Sequence, residues 1–244
     1  MEPYYYQTLS KAEQSSYQAM QAGLQAFAPS FPVPLLENRA LTDVFMKLRL
    51  DCPQLFYAGT FQYRYYPDSR NAELIPAYLF EKGKLKEHQK ALQARVEKLV
   101  RPVAKCGDEE KLLYIHDFIC KNVRYDKLKK QYSHEIIGVL GHGVGVCEGI
   151  AKAVKILCDA LQIQCIIALA ENNPEKGVKY RHAWNVVRLD KKYYHLDCTF
   201  DLSLGNPEEI RYDYFLLSDK QIFRDHERLV WRVPACEDAD RFYY

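Results

Sequence analysis

The sequence lacks the features that mark membrane, secreted and nucleic-acid-binding proteins. It contains no apolar run of roughly 18 residues, so no membrane span is predicted. Its 34 basic and 32 acidic residues leave a net charge of only +2, which gives no reason to expect nucleic acid or an anionic membrane as a partner. The first residues have neither the basic nor the apolar segment of a secretory signal, so a cytoplasmic protein is expected.

The eight cysteines also lack the spacing of a disulfide framework or a metal site. They form no C-x-x-C pair, and the chain is long and has no secretory signal. Most of them lie in apolar patterns that are typical of buried free thiols. Zinc binding is a minor alternative because the cysteine and histidine spacings do not match a site. No metal and no cofactor is predicted.

The chain is rich enough in apolar residues, at 48%, to bury a large core. A capping box at Ser10 and Glu13 predicts a helix, and the stretch at 31–36, with two prolines, is expected to be extended or irregular. Alternating aromatic segments at 54–66 and 72–80 predict a β-hairpin. We therefore expect a mostly helical N-terminal extension containing a β-hairpin, at residues 1–100, and a second unit at residues 101–244.

The stretch GVGVCEGIAKAVKILCDAL, residues 143–161, carries the first chemical signal. Its apolar residues at 150, 154, 157 and 161 fall on one face of a helix, so Cys147 lies at the first turn or just before it. Free backbone N–H groups and the positive end of the helix dipole favour a thiolate there. The flanking glycines permit positive φ and close approach. Cys147 is thus a candidate nucleophile, and a buried structural cysteine is the alternative.

A candidate base follows 35 residues later, at His182. If residues 190–191 form the loop of a hairpin, His182 pairs with Thr199 and Trp184 pairs with Asp197. Side chains alternate along a strand, so His182 and Asp197 share a face as diagonal neighbours. The carboxylate can then fix the tautomer of the imidazole, and the other ring nitrogen can face the thiol. Trp184, on the same face, is expected to shield the pair from water.

These motifs resemble the transglutaminase-like core of transglutaminases, peptide N-glycanases and many bacterial proteins. The resemblance rests on GVCEGIAKAVKILCDAL and RHAWNVVRLDKKYYHLDCTFD, with EKLLYIHDFICKNVRYD and RYDYFLLSDKQIFRDH at the flanks, and it covers about residues 104–228. It implies an α+β, papain-like fold in which the cysteine helix packs on an antiparallel sheet. It also implies that Cys147 is the nucleophile, His182 the general base and acid, and Asp197 the orienting carboxylate.

The sequence departs from the family pattern at Gln162 and at residues 190–191, where members often have glycine. No residue before Cys147 is a clear second donor to an oxyanion, although His142 is a candidate. His195 shares the face of Asp197 and is a candidate neighbour of the site.

The chemistry implied by the resemblance is thiol-dependent acyl transfer on an amide bond. Hydrolysis by a cysteine protease or amidase is the first hypothesis. Isopeptide formation of the transglutaminase type is open, since it uses the same three residues. A non-catalytic protein-binding module is also open, motivated by the tyrosine-rich N-terminal half. A protein or peptide is the expected substrate, and the oligomeric state is unknown.

Overall fold

The computed structural model describes residues 2–206 and 208–237, apart from the side chain of Asn38, so the predicted core at 101–244 ends outside the described residues. The chain divides into two compact units, one formed by Glu2–Lys90 and the other beginning at Ala91. Among the described helices, none combines the length and the apolar composition that crossing a bilayer requires.

The first unit combines helices with a three-stranded antiparallel sheet in the order β1-β3-β2. The predicted capping box starts its second helix, and the predicted hairpin forms between its second and third strands. The elements are α1 (Tyr4–Gln7), α2 (Lys11–Gln25), β1 (Phe31–Pro34), α3 (Asn38–Asp51), a 3-10 helix (Pro53–Leu55), β2 (Ala58–Tyr65), β3 (Asn71–Tyr78) and the start of α4 (Lys82–Val100).

The proline-containing stretch that was expected to be extended or irregular is the regular strand β1. It lies at the edge of the sheet and pairs only with β3. An edge strand has one row of backbone groups outside the ladder, so Pro32 and Pro34 can stand there without removing a needed donor. The sheet therefore has one strand more than the predicted hairpin.

The second unit has a four-stranded antiparallel sheet in the order β6-β7-β8-β9 and a short parallel pair, β4-β5. Its elements after α4 are 3-10 helices (Arg101–Val103, Gln131–His134, Pro174–Lys176), α5 (Asp108–Asn122), β4 (Arg124–Tyr125), a π-helical turn (Ile137–Gly141), β5 (Val144–Gly145), α6 (Cys147–Ala160), β6 (Cys165–Ala170), β7 (His182–Leu189), β8 (Lys192–Leu196), α7 (Cys198–Leu204), β9 (Phe215–Leu217) and α8 (Asp219–Ile222).

Helix α6 packs on the antiparallel sheet, and this contact forms the centre of the second core. Ile150, Val154 and Leu157 of the helix are all buried, as is every residue of β6. The amide of Asn185 on β7 donates a hydrogen bond to the Ala151 carbonyl of α6 at 2.9 Å. The predicted α+β class, with the cysteine helix on an antiparallel sheet, is confirmed.

The predicted β7–β8 hairpin forms with residues 190–191 as its loop. Leu189 pairs with Lys192, and the ladder continues as far as Asn185 and Leu196. Both loop residues have positive φ, 50° at Asp190 and 68° at Lys191, which is the conformation that a two-residue hairpin loop requires.

Beyond Leu196 the predicted pairing is wrong, because β8 ends one residue before Asp197. The Asp197 carboxylate accepts hydrogen bonds from the backbone N–H groups of Thr199 and Phe200 and so caps α7. Aspartate is a strong helix N-cap, and this local bonding turns the chain out of the strand. His182 therefore does not pair with Thr199, and Trp184 does not pair with Asp197.

Candidate active site

Cys147 is the first residue of α6, as predicted, and is half-buried. Two glycines shape the backbone around it. Gly143 has a φ of 65° in the lead-in loop, where a side chain would be strained. At Gly149 the helix lies so close to the backbone oxygen of Ser133 that a Cβ would overlap it. The thiol thus stands at the exposed end of a helix whose next turn is held against a neighbouring loop.

His182 stands at the start of β7 between the thiol and a carboxylate. Its Nε2 lies 2.6 Å from Oδ2 of Asp197. The Cys147 thiol lies beside the same ring and helps to raise its pKa. Trp184 stacks on the ring with centroids 5.8 Å apart and an interplanar angle of 17°, and Phe200 packs on it at 4.9 Å. The orientation of His182 is fixed both by its bonds and by its aromatic walls.

Asp197 is buried, and both of its oxygens are fully engaged. Oδ1 accepts the capping bonds from Thr199 and Phe200 at 2.8 and 3.2 Å. Oδ2 faces Nε2 of His182 and also Nε2 of His226, which lies at 2.9 Å. Burial by itself raises the pKa of Asp197, but the two imidazoles outweigh burial and hold this pKa well below its usual range. The carboxylate is therefore charged at neutral pH.

The charge on Asp197 dominates the electrostatics of His182. Burial lowers the pKa of His182, but the charge and hydrogen bond of Asp197, together with the contact with Cys147, raise it to about 10. The protonated ring is thus favoured beside the thiol. A thiol at a helix N-terminus beside a histidine ring has the arrangement of a candidate nucleophile next to its base.

Tyr125 also lies in the site, although the amino-acid sequence did not indicate it. It is the last residue of β4 and is 39% exposed. Burial and the charge of Cys147 raise the pKa of Tyr125, while a hydrogen bond from the Cys147 backbone lowers it. The phenol group therefore lies close to Cys147. Nineteen tyrosines are spread along the sequence, and nothing in their spacing singles out this one.

The structure places Trp184 in the site but keeps His195 away from the reacting groups. His195 is buried, and its Nδ1 accepts a hydrogen bond from the Trp184 indole at 2.9 Å. Its Nε2 therefore carries the proton and donates to Asp219 at 2.8 Å. Burial lowers the pKa of His195, which favours this neutral form. His195 supports Trp184 from behind and does not bond to Asp197.

His142, the candidate oxyanion donor, lies at the end of the π-helical turn and is exposed. Its ring packs against Tyr132 with centroids 5.1 Å apart. In the described part of the chain, no hydrogen bond joins His142 to Cys147 or His182. The Tyr125 hydroxyl, by contrast, lies beside the Cys147 backbone.

His226 is a second residue of the site, after Tyr125, that the sequence did not reveal. It follows α8, lies in the flanking segment RYDYFLLSDKQIFRDH, and is buried against Trp184 at 4.8 Å between ring centroids. The residues around it form neither a helical nor a strand period. Only its position inside the matching segment could have drawn attention to it.

Among the residues that the structure describes, two groups of side chains bring three possible metal ligands within 4.8 Å of one another, namely His182 with Asp197 and His226, and His195 with Asp219 and Cys236. In the first group both imidazoles already donate to one oxygen of Asp197. In the second, the Trp184 indole keeps the His195 proton on Nε2, the atom that would have to bind the metal. The hydrogen bonds in both groups account for their proximity without an ion.

Comparisons with known proteins agree with this architecture. The sequence model of the transglutaminase-like superfamily matches residues 93–198, which include Cys147, His182 and Asp197. No curated protein matches the chain.

Three solved structures are among those that match part of this chain. One is a TGase, with 13% identity and a TM-score of 0.38 over 58% of this chain and 44% of that one. The second is a candidate cysteine protease from Cytophaga hutchinsonii, with 16% identity and a TM-score of 0.37 over 57% of this chain and 61% of that one. The third is a candidate protease from Parabacteroides distasonis, with 16% identity and a TM-score of 0.35 over 57% of this chain and 36% of that one.

This chain spans less than two thirds of the length of each of the three structures. The family match covers the helix that carries the thiol, the strand that carries the imidazole and the strand that leads to the carboxylate. Residues 93–198 of this chain are therefore similar to the transglutaminase-like superfamily domain.

Proposed function

We propose that this chain catalyses thiol-dependent acyl transfer at amide bonds, with hydrolysis as its reaction. The observation that carries the proposal is the continuous contact from the Cys147 thiol through the His182 ring to the buried charge of Asp197. A nucleophile, a base in contact with it and a group that orients the base are the three parts that such chemistry needs.

In the first half of the reaction, the Cys147 thiolate attacks the carbonyl carbon of the amide. The C–N bond breaks as the His182 imidazolium gives its proton to the leaving nitrogen, and a thioester forms on the sulfur. In the second half, the neutral His182 ring takes a proton from water, whose oxygen attacks the thioester. The acid is released, and the thiol and the imidazole are restored.

The negative charge that develops on the carbonyl oxygen needs donors near Cys147. The backbone N–H of Cys147 and the hydroxyl of Tyr125 are adjacent groups suited to this role. The Tyr125 hydroxyl lies beside that N–H. When a carbonyl oxygen enters, the hydroxyl can turn and donate its own proton, since a phenol both donates and accepts.

A protein or peptide is the proposed substrate, and residues of the loops beside the site offer it contacts. Leu128 and Tyr180 are strongly exposed, and Lys129 lies 3.2 Å from the centroid of the Tyr180 ring, which joins the two loops. Tyr125 precedes one loop and His182 follows the other in the sequence. An extended chain crossing the thiol would meet both.

The first test is the reactivity of the thiol itself. Limiting iodoacetamide near pH 6, followed by peptide mass mapping, is expected to label Cys147 selectively, and His182→Ala is expected to abolish that selectivity. Cys106 is the internal control because it is the other cysteine that is not buried. Equal and slow labelling of Cys106 and Cys147 in the wild type would show that the reactive pair is not assembled.

The second test separates hydrolysis from transfer. Release of ammonia from glutamine-containing peptides, and of new amino termini from casein, should be measured with and without an added primary amine. Hydrolysis predicts products without the amine, whereas isopeptide formation predicts incorporation of the amine at the expense of hydrolysis. Cys147→Ala should abolish either activity. A chain that leaves every amide intact while its thiol is reactive would contradict the proposed reaction.

A further inference from the structure

We infer that His226 is a positioning residue of the active site, which holds the Asp197 carboxylate and divides its charge between two imidazoles. This inference rests on the proposed function and adds a fourth residue to its catalytic group. It follows from the contacts of a buried histidine that the Cys147–His182–Asp197 arrangement does not itself require.

The two imidazoles meet at a single oxygen atom. Nε2 of His182 lies 2.6 Å, and Nε2 of His226 lies 2.9 Å, from Oδ2 of Asp197. The other oxygen of Asp197 is held by two backbone N–H groups at the start of α7. Rotation of the carboxylate would therefore break bonds on both sides, and the oxygen that faces His182 has one position.

The far side of the His226 ring is fixed as well. Its Nδ1 lies 2.7 Å from Oδ1 of Asp225, and the other oxygen of Asp225 accepts a hydrogen bond from the Tyr214 hydroxyl. Carboxylates only accept hydrogen bonds, so the ring makes both of its bonds when both nitrogens carry protons. Asp225 is half exposed, so the network runs from the surface to the buried Asp197.

Aromatic contacts prevent the ring from tilting. Phe200 packs edge-on against His226 at 4.6 Å and Trp184 at 4.8 Å between centroids. Both of these side chains also pack on His182. The titratable side chains that contact the His226 ring are those of Asp197, Asp225, Tyr214 and His182. His195 interacts with it electrostatically, since His226 lowers the pKa of His195.

The side chain of His226 is fully buried, so it does not touch a substrate. Its effect must pass through Asp197. A second donor keeps Oδ2 in line with the His182 ring, and it also takes a share of the negative charge. The first effect keeps the other nitrogen of His182 aimed at Cys147. The second limits how tightly His182 holds its proton, which the leaving amine must receive.

The test compares His226→Gln with His226→Leu. The amide nitrogen of glutamine can occupy the place of Nε2 and donate to Asp197, whereas leucine fills the volume without a donor. His116→Leu is the matched control, because it also removes a buried histidine that is bonded to a buried carboxylate, Asp201 at 2.9 Å, without touching Asp197. The readout is the rate of Cys147 alkylation by iodoacetamide from pH 4 to 9, with a thermal melt of each variant.

His226→Leu is expected to lower the rate of Cys147 labelling at pH 6 by about tenfold to a hundredfold, the range found when a partner that orients a metal ligand is lost, because the loss of aim of the His182 ring outweighs the stronger hold of Asp197 on its proton. His226→Gln should stay within about threefold of the wild type, and His116→Leu should keep the wild-type profile. Equal profiles for wild type and His226→Leu, or equal losses in the leucine and glutamine variants, would overturn the inference.

If the His226 variants do not fold, Asp225→Ala answers the same question from the exposed end of the network. It removes the partner of Nδ1 and should give a weaker loss of labelling of about two- to fivefold, whereas an unchanged profile would overturn the inference. Alkylation needs no substrate, so the outcomes stay separable. Unselective labelling in the wild type would refute the proposed function itself, whereas selective labelling that His226 does not influence would refute only the role of His226.

Discussion

Replacing Asp197 by asparagine should disable the thiol while leaving the fold in place. Asparagine keeps the shape of the side chain and one acceptor oxygen. If that oxygen takes the Oδ1 position, it still accepts from Thr199 and Phe200, and the cap of α7 survives. The amide N–H₂ group then faces Nε2 of His182, which must become an acceptor. The proton of the ring moves to Nδ1 and points at Cys147, so the ring cannot act as a base there.

The magnitude follows from the electrostatics of the imidazole. The surroundings raise the pKa of His182 from its ordinary 6.5 to about 10, with Asp197 as the largest cause that raises it. Each pH unit is a factor of ten in the proton equilibrium, so the imidazolium is favoured by roughly a thousandfold. Asparagine removes the charge, and burial then lowers this pKa. We expect Asp197→Asn to slow Cys147 alkylation at pH 6 by about 10²- to 10³-fold.

The assay is competitive labelling with iodoacetamide, in which Cys106 reports general reactivity and a thermal melt reports folding. Asp219→Asn is the matched control, because it changes a carboxylate that is bonded to a buried histidine at 2.8 Å but does not reach the thiol. The control is expected to label Cys147 at the wild-type rate. A folded Asp197→Asn variant that also labels at the wild-type rate would refute the assignment of Asp197 as the source of the charge.

Three further outcomes are expected. Tyr125→Phe should lower kcat on an amide by about 10²-fold with little change in KM, as the loss of one oxyanion donor does. Tyr180→Phe, the control, should have no effect on kcat, and equal kcat values for both variants would contradict the role of the Tyr125 hydroxyl. Gln162→Gly should raise the free energy of unfolding by about 1 kcal/mol in a denaturant titration, because residue 162 has a φ of 62°, and Gln162→Ala should bring no such gain. Because the pKa of His182 is raised to about 10, its protonation stabilises the fold fully below pH 6.5 and ceases to do so as the pH rises through 10. The difference in melting temperature between wild type and His182→Ala should therefore shrink between pH 6 and 10.5. A constant difference would contradict the raised pKa.

The local features of the site could be predicted because they arise within short stretches of chain. The apolar period after Cys147 fixes the face of α6, and the helix start follows from it. The hairpin register follows from the two-residue loop, which forms even though neither Asp190 nor Lys191 is a glycine. The capping box at Ser10 is likewise a property of four residues. In each case the partners are close in sequence, so the pattern itself contains the contact.

Tyr125 and His226 could not be predicted, because their partners are distant in the chain. Tyr125 lies near Cys147 because β4 pairs with β5. Both strands are only two residues long, which is too short to show an alternating pattern in the sequence. His226 reaches Asp197 from a segment without regular period, 29 residues away. Neither residue differs by type from the other tyrosines and histidines of the chain. Only tertiary packing selects them.

At the end of β8 the predicted pairing is wrong, although His182 and Asp197 lie together as expected. The sequence argument required Asp197 to remain in the strand, as a diagonal neighbour of His182. In the structure Asp197 leaves the strand, because one of its oxygens caps α7. That same cap fixes the carboxylate so that its other oxygen is presented to His182. The local bond that ends the strand is therefore also the bond that orients the carboxylate toward His182, and an aspartate at this position serves both purposes.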